Sequence, residues 1–510
     1  TWIEAVPLPR GNYRQLTVGE GALYYLNAAA GDFNRFEYRG PEARSLYAFA
    51  FDTRKEHRLL EGVDDYRLSG DGKWIVCRKG TGLTALELKG PEPKAQELSL
   101  ADLKLWIDPR AEWRQIFNES WRMERDFFYE PGMHGLDWPA MHARYRMLLE
   151  RATCRQDVVY ILGELIGELN ASHTYVGGGA QQRKAEEIAV GLLGADYELD
   201  AASQRYRFRK ICRVPDWTDE VQPPLAAVGV GVREGDYLLA VNGVDVRGDR
   251  EVYAYFQDLA GKQVKILVND KPDRVGAREY TVKPLASERT LRYLDWVEHN
   301  RRVVAEASGG RIGYLHLPDT YTASAREFPK YFYAQTQKDG IVVDGRFNGG
   351  GLDPDIFLQR LGKRAISYWT RRYSKDTATP AVWTQAHLVC LTNRQAGSGG
   401  DELPHEFQVE KMGPVIGTRS WGGLVGISMT IDLVDGGYLT APDYRIYDRD
   451  GNWVVENVGV TPDIEVDLDP AEMARGYDAQ LMKGVEVLLK KIEAEPRTWP
   501  KHPPFPRQKF

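Results

Sequence analysis

A chain of 510 residues is too long for a single hydrophobic core, and domains of about 100–150 residues predict about three or four of them. Hydrophobic residues make up 43% of the chain and charged residues 27%, which is typical of a soluble globular protein rather than a disordered or fibrous one. The net charge of −6, with acidic and basic residues mixed along the chain, argues against nucleic acid as a partner.

Two further features exclude other common classes of protein. The four cysteines (Cys77, Cys154, Cys212 and Cys390) lie far apart and include no CxxC pair, so the sequence predicts neither a zinc site nor a disulfide framework. No apolar run approaches the roughly 20 residues that span a bilayer, so we expect no membrane partner.

Residues 1–104 are predicted to form short strands joined by turns. Strand-forming residues dominate 45–52 and 73–80, and a Gly-Asp-Gly turn lies within 66–77. This pattern is typical of β-propeller blades, and a closed propeller needs about four to eight of them. Since one or two blades fit into this length, we expect the C-terminal blades of an incomplete propeller.

Residues 105–185 are predicted to form a helical bundle. Apolar residues recur at helical spacing in 113–128, 138–152 and 156–169. The pair Ser172-His173 follows directly, at the exit of a rigid helix. A rigid helix suits catalytic groups because it fixes their position.

Residues 186–287 return to a strand-rich pattern. The segment 233–246 contains a Gly-Asp turn, a strand and an Asn-Gly turn, and it resembles the signature of PDZ domains. In such domains an extended peptide pairs with an edge strand, which 190–199 would supply. The alternative is a β-barrel module that serves only for packing.

Residues 288–510 are predicted to form an α/β core. Strand-forming segments at 311–317, 340–346 and 387–393 alternate with helical stretches, as in parallel layered folds. The whole chain is therefore expected to be a multidomain α+β protein with a partial propeller end, a helical bundle, a PDZ domain and an α/β core.

The segment QAGSGGDELPHEF (395–407) places Ser398 between glycines at the start of a predicted helix. The glycines permit the tight backbone that pushes one hydroxyl into a cleft, and N–H groups at the helix start point to where an oxyanion would be held. Alone, such a turn is equally consistent with packing or phosphate binding.

Three other segments add groups that a serine nucleophile needs. DGRFNGGG (344–351) leaves a bare backbone at the end of a neighbouring strand, although a mobile loop is the alternative. His173 is a candidate base for the Ser398 hydroxyl, although most of the nine histidines are expected to be structural. Glu456 lies between apolar residues, where a carboxylate needs a partner.

In this order, the four segments resemble those of the tricorn protease family, within the C-terminal processing peptidases. The resemblance includes GTRSWGGLVG (417–426), which is similar to the family's stretch after the nucleophile. It implies that 288–510 is a serine peptidase core that uses acyl-enzyme chemistry, with neither a metal nor another cofactor.

The resemblance also implies a catalytic tetrad. Ser398 would attack the scissile carbonyl, and His173 would carry the proton to the leaving amine. Ser172 would connect the imidazole to Glu456, whose charge would stabilise the protonated histidine as the aspartate does in a triad.

Glycines complete the site that the resemblance implies. The oxyanion would lie between the N–H groups of Gly350 and Gly399, and Gly349 and Gly351 would contact the substrate. The best-known family members carry an aspartate directly after the nucleophile, where this chain has Gly399. Their side-chain preferences therefore do not transfer. The family also implies peptide substrates released by larger proteases, a hexameric assembly of identical chains and a cytoplasmic location.

Two alternatives remain open on the residues alone. An α/β-hydrolase-type esterase would use Ser398, Glu456 and His502 in that chain order, but His502 lies in a proline-rich terminal stretch. A non-catalytic PDZ peptide-binding scaffold would keep the fold without turnover. A metal hydrolase is disfavoured because the sequence contains no HExxH or similarly spaced ligand cluster.

Overall fold

The computed structural model describes residues 5–28, 44–89, 93–179, 187–214, 221–428 and 430–508. The chain divides into two compact units, Thr1–Glu112 and Trp113–Phe510. The predicted mixture of helices and sheets is confirmed. Within the described ranges, no helix combines the length and the apolar character that a membrane span requires.

The first unit contains eight strands in its described part. They are β1 (Asn12–Gly19), β2 (Ala22–Ala28), β3 (Ser45–Ala50), β4 (Lys55–Glu61), β5 (Asp65–Leu68), β6 (Trp74–Lys79), β7 (Gly82–Glu87) and β8 (Lys94–Leu98). The first four form one antiparallel up-and-down sheet and the last four another, and Leu46 and Leu86 pack in a core that both sheets share. Four-stranded sheets of this kind are compatible with propeller blades, and the incomplete propeller stays a prediction.

Three helices and a 3₁₀ turn follow these strands. They are α1 (Pro109–Phe127), the 3₁₀ turn Met133–Gly135, α2 (Trp138–Leu149) and α3 (Arg155–Gly167). Helix α2 begins where the Asp137 carboxylate accepts a hydrogen bond from the Ala140 N–H. The apolar faces of the helices share a core with Leu433, far along the chain, so the exit of α3 is fixed against the later part of the second unit.

A six-stranded antiparallel sheet occupies the predicted PDZ region. The strands from here are β9 (Val176–Gly178), β10 (Ala195–Asp200), β11 (Arg205–Ile211), β12 (Tyr237–Val241), β13 (Val244–Asp245), β14 (Val264–Asn269) and β15 (Arg278–Val282). Strands β10 to β15 form the sheet, with β10 at one edge, as expected for a peptide-binding strand. Asn242 and Gly243 join β12 to β13 with positive φ angles of 47° and 82°, the backbone that favours an Asn-Gly turn in a hairpin.

The remaining strands and helices build the α/β core. The strands are β16 (Ile312–His316), β17 (Gly340–Asp344), β18 (Ser367–Arg371), β19 (Ser374–Thr379), β20 (His387–Thr392), β21 (Val415–Gly417), β22 (Val425–Gly426), β23 (Thr430–Asp432), β24 (Gly437–Thr440), β25 (Tyr444–Arg445) and β26 (Ile464–Glu465). The helices are α4 (Arg289–Ala307), α5 (Thr322–Tyr333), α6 (Asp355–Leu361), α7 (Gly399–Val409), α8 (Pro470–Ala474) and α9 (Ala479–Ala494).

The central sheet of this core is parallel, in the order β16-β17-β20-β21-β26. Gly340 faces Leu488 of α9, and five residues later Gly345 faces Leu403 of α7, so these two helices cover opposite faces of the sheet. Because β17 and β20 are neighbours, the two glycine-rich turns meet at the same edge. Strand β9, just after His173, pairs with β24 and holds the histidine segment beside this core.

Helix α1 carries a buried carboxyl group that has no hydrogen-bond partner among the described residues. The Glu124 side chain is fully buried, and within this part of the chain neither of its oxygens is hydrogen-bonded; the same is true of the Ser120 hydroxyl one turn earlier. Burial favours the uncharged acid and raises the pKa of Glu124 to about 8. The helical bundle therefore keeps a neutral carboxylic acid in its core at neutral pH.

We expect Glu124→Gln to remove a pH-dependent loss of stability. The buried acid stabilises the fold fully below its ordinary pKa of 4.5, and this contribution is lost as the pH rises to about 8. Glutamine has no proton to lose, so the melting temperature of the variant relative to wild type should increase across this range. Calorimetry from about pH 5 to about pH 9 measures this difference. Glu164→Gln, at an exposed position of α3, is the control, and parallel curves for Glu124→Gln and wild type would contradict the prediction.

Candidate active site

Ser398 lies directly before α7 with an unusual backbone. Its φ is 59° and its ψ is −124°, a combination that a residue with a side chain rarely adopts and that costs about 1–3 kcal/mol. Two hydrogen bonds hold the turn: the Ser398 N–H donates to the Gly423 carbonyl at 3.0 Å and to the Asp401 carboxylate at 2.9 Å. These two hydrogen bonds thus hold the backbone of the half-buried Ser398 in its unusual conformation.

The glycines around Ser398 are required by lack of space. A Cβ at Gly397 would lie 2.5 Å from the Trp421 ring, and one at Gly400 would lie 2.5 Å from the Asn348 carbonyl. A Cβ at Gly399 would collide with the Thr320 hydroxyl. The predicted tight backbone is therefore present, and any side chain at these positions would displace a neighbouring segment.

The second glycine-rich turn packs directly against the first. A Cβ at Gly350, whose φ is 79°, would lie 2.5 Å from the Ser398 Cβ and 3.0 Å from the Gly399 nitrogen. The Gly350 N–H donates to the Asn348 side-chain oxygen at 2.8 Å. In the described part of the chain, the Gly399 N–H donates no hydrogen bond. Of the two predicted oxyanion donors, Gly399 is thus free and Gly350 is engaged.

The flanking glycines of this turn have different surroundings. Gly349 is exposed, and its N–H donates to the Pro318 carbonyl at 2.9 Å. Gly351, also exposed, forms a parallel bridge with Thr320. Beneath them the buried Arg346 guanidinium bonds to Asp344 at 2.7 Å and braces the base of the turn. The turn is therefore hydrogen-bonded along its length and braced at its base, which argues against the mobile-loop alternative.

His173 is half-buried, with a positive φ of 58°. The buried Thr440 hydroxyl of β24 donates to its carbonyl at 2.7 Å, and the Trp421 ring lies 5.8 Å from the imidazole between centroids. Burial lowers the pKa of His173, and the negative charges of Glu456 and Asp401 oppose that shift. The imidazole is thus neutral at neutral pH, as a base must be.

Glu456 is buried and fully provided with neutral hydrogen-bond donors. Its carboxylate accepts from the Ser172 N–H at 2.7 Å, from the Ser172 hydroxyl at 2.9 Å and from the Leu424 N–H at 2.7 Å. Its neighbour Asn457 donates to the Asn170 carbonyl at 2.8 Å, which ties this loop to the exit of α3. The predicted link between Glu456 and Ser172 is thus a direct contact.

Asp401 joins the turn of Ser398 to the loop that carries Trp421. The carboxylate is fully buried and accepts from the N–H groups of Ser398, Gly422 and Gly423 at 2.9, 2.7 and 3.1 Å. Burial raises its pKa, although these hydrogen bonds pull it down again. The sequence analysis of 395–407 did not single out Asp401. An acidic residue three positions after a helix cap is a known capping pattern, and this signal could have identified it.

Three carboxyl groups form a cluster near the start of α7. Asp353, Glu402 and Glu406 each place an oxygen within 4.8 Å of the others. Burial, strengthened by repulsion from Asp353, raises the pKa of Glu402 to about 7 and of Glu406 to about 8. The charge near the nucleophile turn therefore changes around neutral pH. Sequence reasoning missed this cluster because its members have no recognised ligand spacing.

The structure brings together some of the predicted groups and leaves others apart. Ser398 contacts the Gly350 turn, and Ser172 contacts Glu456. Among the described hydrogen bonds, none joins the His173 imidazole to Ser172 or to Ser398; its ring nitrogen contacts Tyr175 instead. His502, the base of the esterase alternative, is exposed outside any helix or strand and packs on Phe505.

Comparison with known families agrees with this arrangement. The family model for peptidase family S41 matches residues 311–466, that of the tricorn protease C1 domain matches 109–167, and that of the tricorn protease PDZ domain matches 191–287. These segments follow one another in the order that the sequence predicted. The chain belongs to the tricorn protease family.

Individual tricorn relatives cover nearly the whole chain. A putative tricorn-like protease C-terminal subunit of Sulfurisphaera tokodaii is 32% identical over 90% of this chain and 53% of its own length. Tricorn protease homolog 1 of Streptomyces coelicolor is 34% identical over 88% of this chain and 42% of its own. The crystal structure of the tricorn protease superposes with a TM-score of 0.86 at 28% identity, over 96% of this chain and 47% of that one. The chain thus spans about half the length of these relatives.

We expect Asp401→Ala to destabilise this tricorn-type core strongly. The replacement leaves the buried N–H groups of Gly422 and Gly423 without their acceptor, each at a cost of about 1–3 kcal/mol, so the free energy of unfolding should fall by about 2 kcal/mol or more. Thermal melting measures the change. Glu410→Ala, at the exposed end of α7, is the matched control. An Asp401→Ala protein that melts at the wild-type temperature would show that these hydrogen bonds contribute little.

Proposed function

We propose that this chain is a serine peptidase that hydrolyses peptides through an acyl-enzyme formed on Ser398. One observation carries the proposal: the loop that contains Trp421 contacts the segments of the proposed nucleophile, base and buried carboxylate. It bonds to Asp401 beside Ser398, its Trp421 ring lies against the imidazole of His173, and its Leu424 N–H bonds to Glu456. Such convergence of a nucleophile, a base and a buried carboxylate is typical of covalent hydrolysis.

The proposed reaction follows from these groups. The Ser398 Oγ forms a bond to the scissile carbonyl carbon while its proton passes to Nε2 of His173. The carbon–nitrogen bond then breaks, and the imidazolium returns the proton to the leaving amine. Water next attacks the ester, again with His173 as base, and releases Ser398. Glu456, whose charge raises the pKa of His173, stabilises the imidazolium.

The oxyanion of the tetrahedral intermediate would first meet the Gly399 N–H. This donor is free, and it lies at the N-terminus of α7, where the helix dipole favours negative charge. The Gly350 N–H would become a second donor to the oxyanion when its hydrogen bond to the Asn348 side chain breaks. The exposed backbone of Gly349 and Gly351 borders the same turn and is proposed to contact the peptide.

Substrate class and setting also belong to this proposal. We infer that the substrates are peptides released by larger proteases, since the family resemblance points to peptide degradation. The same resemblance supports a hexameric assembly and a cytoplasmic location.

The PDZ-like sheet bears on the scaffold alternative. The Gly194 N–H, just before edge strand β10, donates to the Glu288 carboxylate at 2.6 Å, and Arg292 holds the same carboxylate at 2.6 Å. Leu291 of α4 also packs against Gly194. The chain's own helix therefore covers the start of the edge strand, which disfavours capture of a free peptide carboxylate there and supports the catalytic reading.

We expect peptide hydrolysis to disappear in Ser398→Ala and His173→Ala and to persist in His502→Ala. Removal of a nucleophile or its base costs about 10⁴-fold or more in kcat, whereas His502 lies outside the site. Fluorogenic peptide libraries measure turnover, and a fluorophosphonate probe reports the reactivity of Ser398 without any peptide.

The three variants separate the alternatives. Activity that survives Ser398→Ala would overturn the mechanism, and loss in His502→Ala would favour the esterase. Peptide binding without turnover or probe labelling would favour the scaffold.

The pH dependence of peptide hydrolysis should follow the protonation of His173. Because burial lowers the pKa of His173, kcat/KM should fall only below pH 6.5, the ordinary value for histidine. Glu456→Gln removes a charge that raises this pKa, so the acidic limb should move to still lower pH while kcat decreases. Rate profiles on one peptide measure both effects. An acidic limb that moves upward in Glu456→Gln would contradict the electrostatic role of Glu456.

A further inference from the structure

We propose that a cavity at the amino end of β20, called the basal cavity below, binds an amphipathic carboxylate: an alkyl chain with one anionic head group, as in a fatty acid. The basal cavity has a volume of about 830 Å³ and lies between the segment that follows α7 and the last turns of α9. Ser398 follows the carboxyl end of the same strand, so the basal cavity lies at the opposite edge of the central sheet. The inference does not depend on the proposed peptidase function.

The floor of the basal cavity is apolar. Leu388 of β20 and Leu488 of α9 are buried there, and Met412 and Val487 are partly buried against the same core. A cavity of this volume is large enough for a small organic ligand. Each methylene group that leaves water for such a surface strengthens binding about fourfold.

The uncharged and acidic side chains of the lining already have partners within the protein. Gln408 donates from its amide nitrogen to the Thr461 carbonyl at 3.0 Å. The Asp463 carboxylate accepts from the Val415 N–H at 2.7 Å. These groups are therefore not available to pair with the polar backbone of a peptide, and an unpaired backbone against an apolar floor is unfavourable. The lining thus favours an alkyl chain over a peptide.

Cationic side chains surround this floor. Arg364, Lys411, Lys490 and Lys491 line the basal cavity, and Asp463 is the carboxylate that lines it with them. Four cations and one acid give the rim a positive charge, which complements an anionic head group. An apolar floor below a positive rim matches a ligand with both an alkyl chain and a carboxylate.

The four cations differ in their partners. Lys490 and Lys491 each donate to a glutamate of the α9 segment, Glu486 and Glu495 respectively. The Lys411 ammonium takes part in no hydrogen bond or ion pair among the described residues. Lys411 is therefore the cation with its full donor capacity left for the head group.

Arg364 lies beside Lys411 at the same rim. Its Nη1 donates to the carbonyls of Leu361 and Thr384 at 3.0 and 2.9 Å, and no carboxylate of the described residues contacts the guanidinium. Burial lowers the pKa of Arg364, and no acid opposes that shift. Arg364 and Lys411 also line a neighbouring cavity of about 1000 Å³. The head group would therefore lie between these two cations, where the cavities meet.

The test is isothermal titration calorimetry of the intact chain with octanoate, decanoate and 1-decanol. We expect decanoate to bind with one-to-one stoichiometry and octanoate to bind about tenfold more weakly, because two fewer methylene groups leave water. The uncharged 1-decanol should also bind about tenfold more weakly, since it lacks charge-assisted hydrogen bonds. Absence of decanoate binding, or equal affinities for decanoate and 1-decanol, would overturn the proposal.

Two exposed rim positions supply variants that leave the apolar floor intact. Lys411→Gln removes the charge and keeps most of the side chain, so the affinity for decanoate should fall about tenfold while that for 1-decanol stays unchanged. Ala494→Glu adds an acid to the rim and should weaken decanoate binding in the same selective way. Lys262→Gln, at an exposed position of the PDZ-like region, is the matched control. Wild-type affinity for decanoate in Lys411→Gln and Ala494→Glu would contradict the assignment.

A second copy of the chain is the competing occupant of this face. Sedimentation velocity of wild type, Lys411→Gln and Ala494→Glu distinguishes it from the carboxylate. We expect the three proteins to have the same oligomeric state. An oligomer that dissociates in both variants, together with no binding of decanoate to wild type, would identify the basal cavity as an interface between copies and overturn the proposal.

Discussion

The Asp401 carboxylate is the contact on which the rest of the candidate site depends. A buried carboxylate is stable only if hydrogen bonds replace the water it has lost, and here backbone N–H groups from two separate loops do so. The same bonds hold Ser398 in its strained conformation and place Trp421 beside His173. One side chain thereby sets the positions of Ser398 and of Trp421.

The site combines four segments, of which the central sheet alone would bring together only two. Strands β17 and β20 place the two glycine-rich turns side by side, which is a direct result of parallel pairing. The histidine comes from the exit of α3 and is held by β24. Glu456 comes from a loop in which both flanking residues, Val455 and Asn457, have positive φ angles. Each segment is shaped by its own local constraint.

Much of this arrangement could be predicted from sequence, for identifiable reasons. Hydrophobic patterns locate β16, β17 and β20, and the Asn-Gly turn marks the hairpin of β12 and β13, because these signals are local. Ser398 and Glu456 stand out because their surroundings are unusual for their chemistry. Asn348 gives no such signal, since its contacts with Leu317 and Gly400 arise only when segments distant in sequence meet.

The separation of these segments along the chain affects when activity can arise. Ser172 and Glu456 are 284 positions apart, and their hydrogen bonds close one of the longest loops in the second unit. A ribosome-bound chain that ends before Glu456 lacks the carboxylate whose charge raises the pKa of His173, even when its helical bundle has folded. Synthesis order therefore delays completion of the candidate site until most of the second unit has been made.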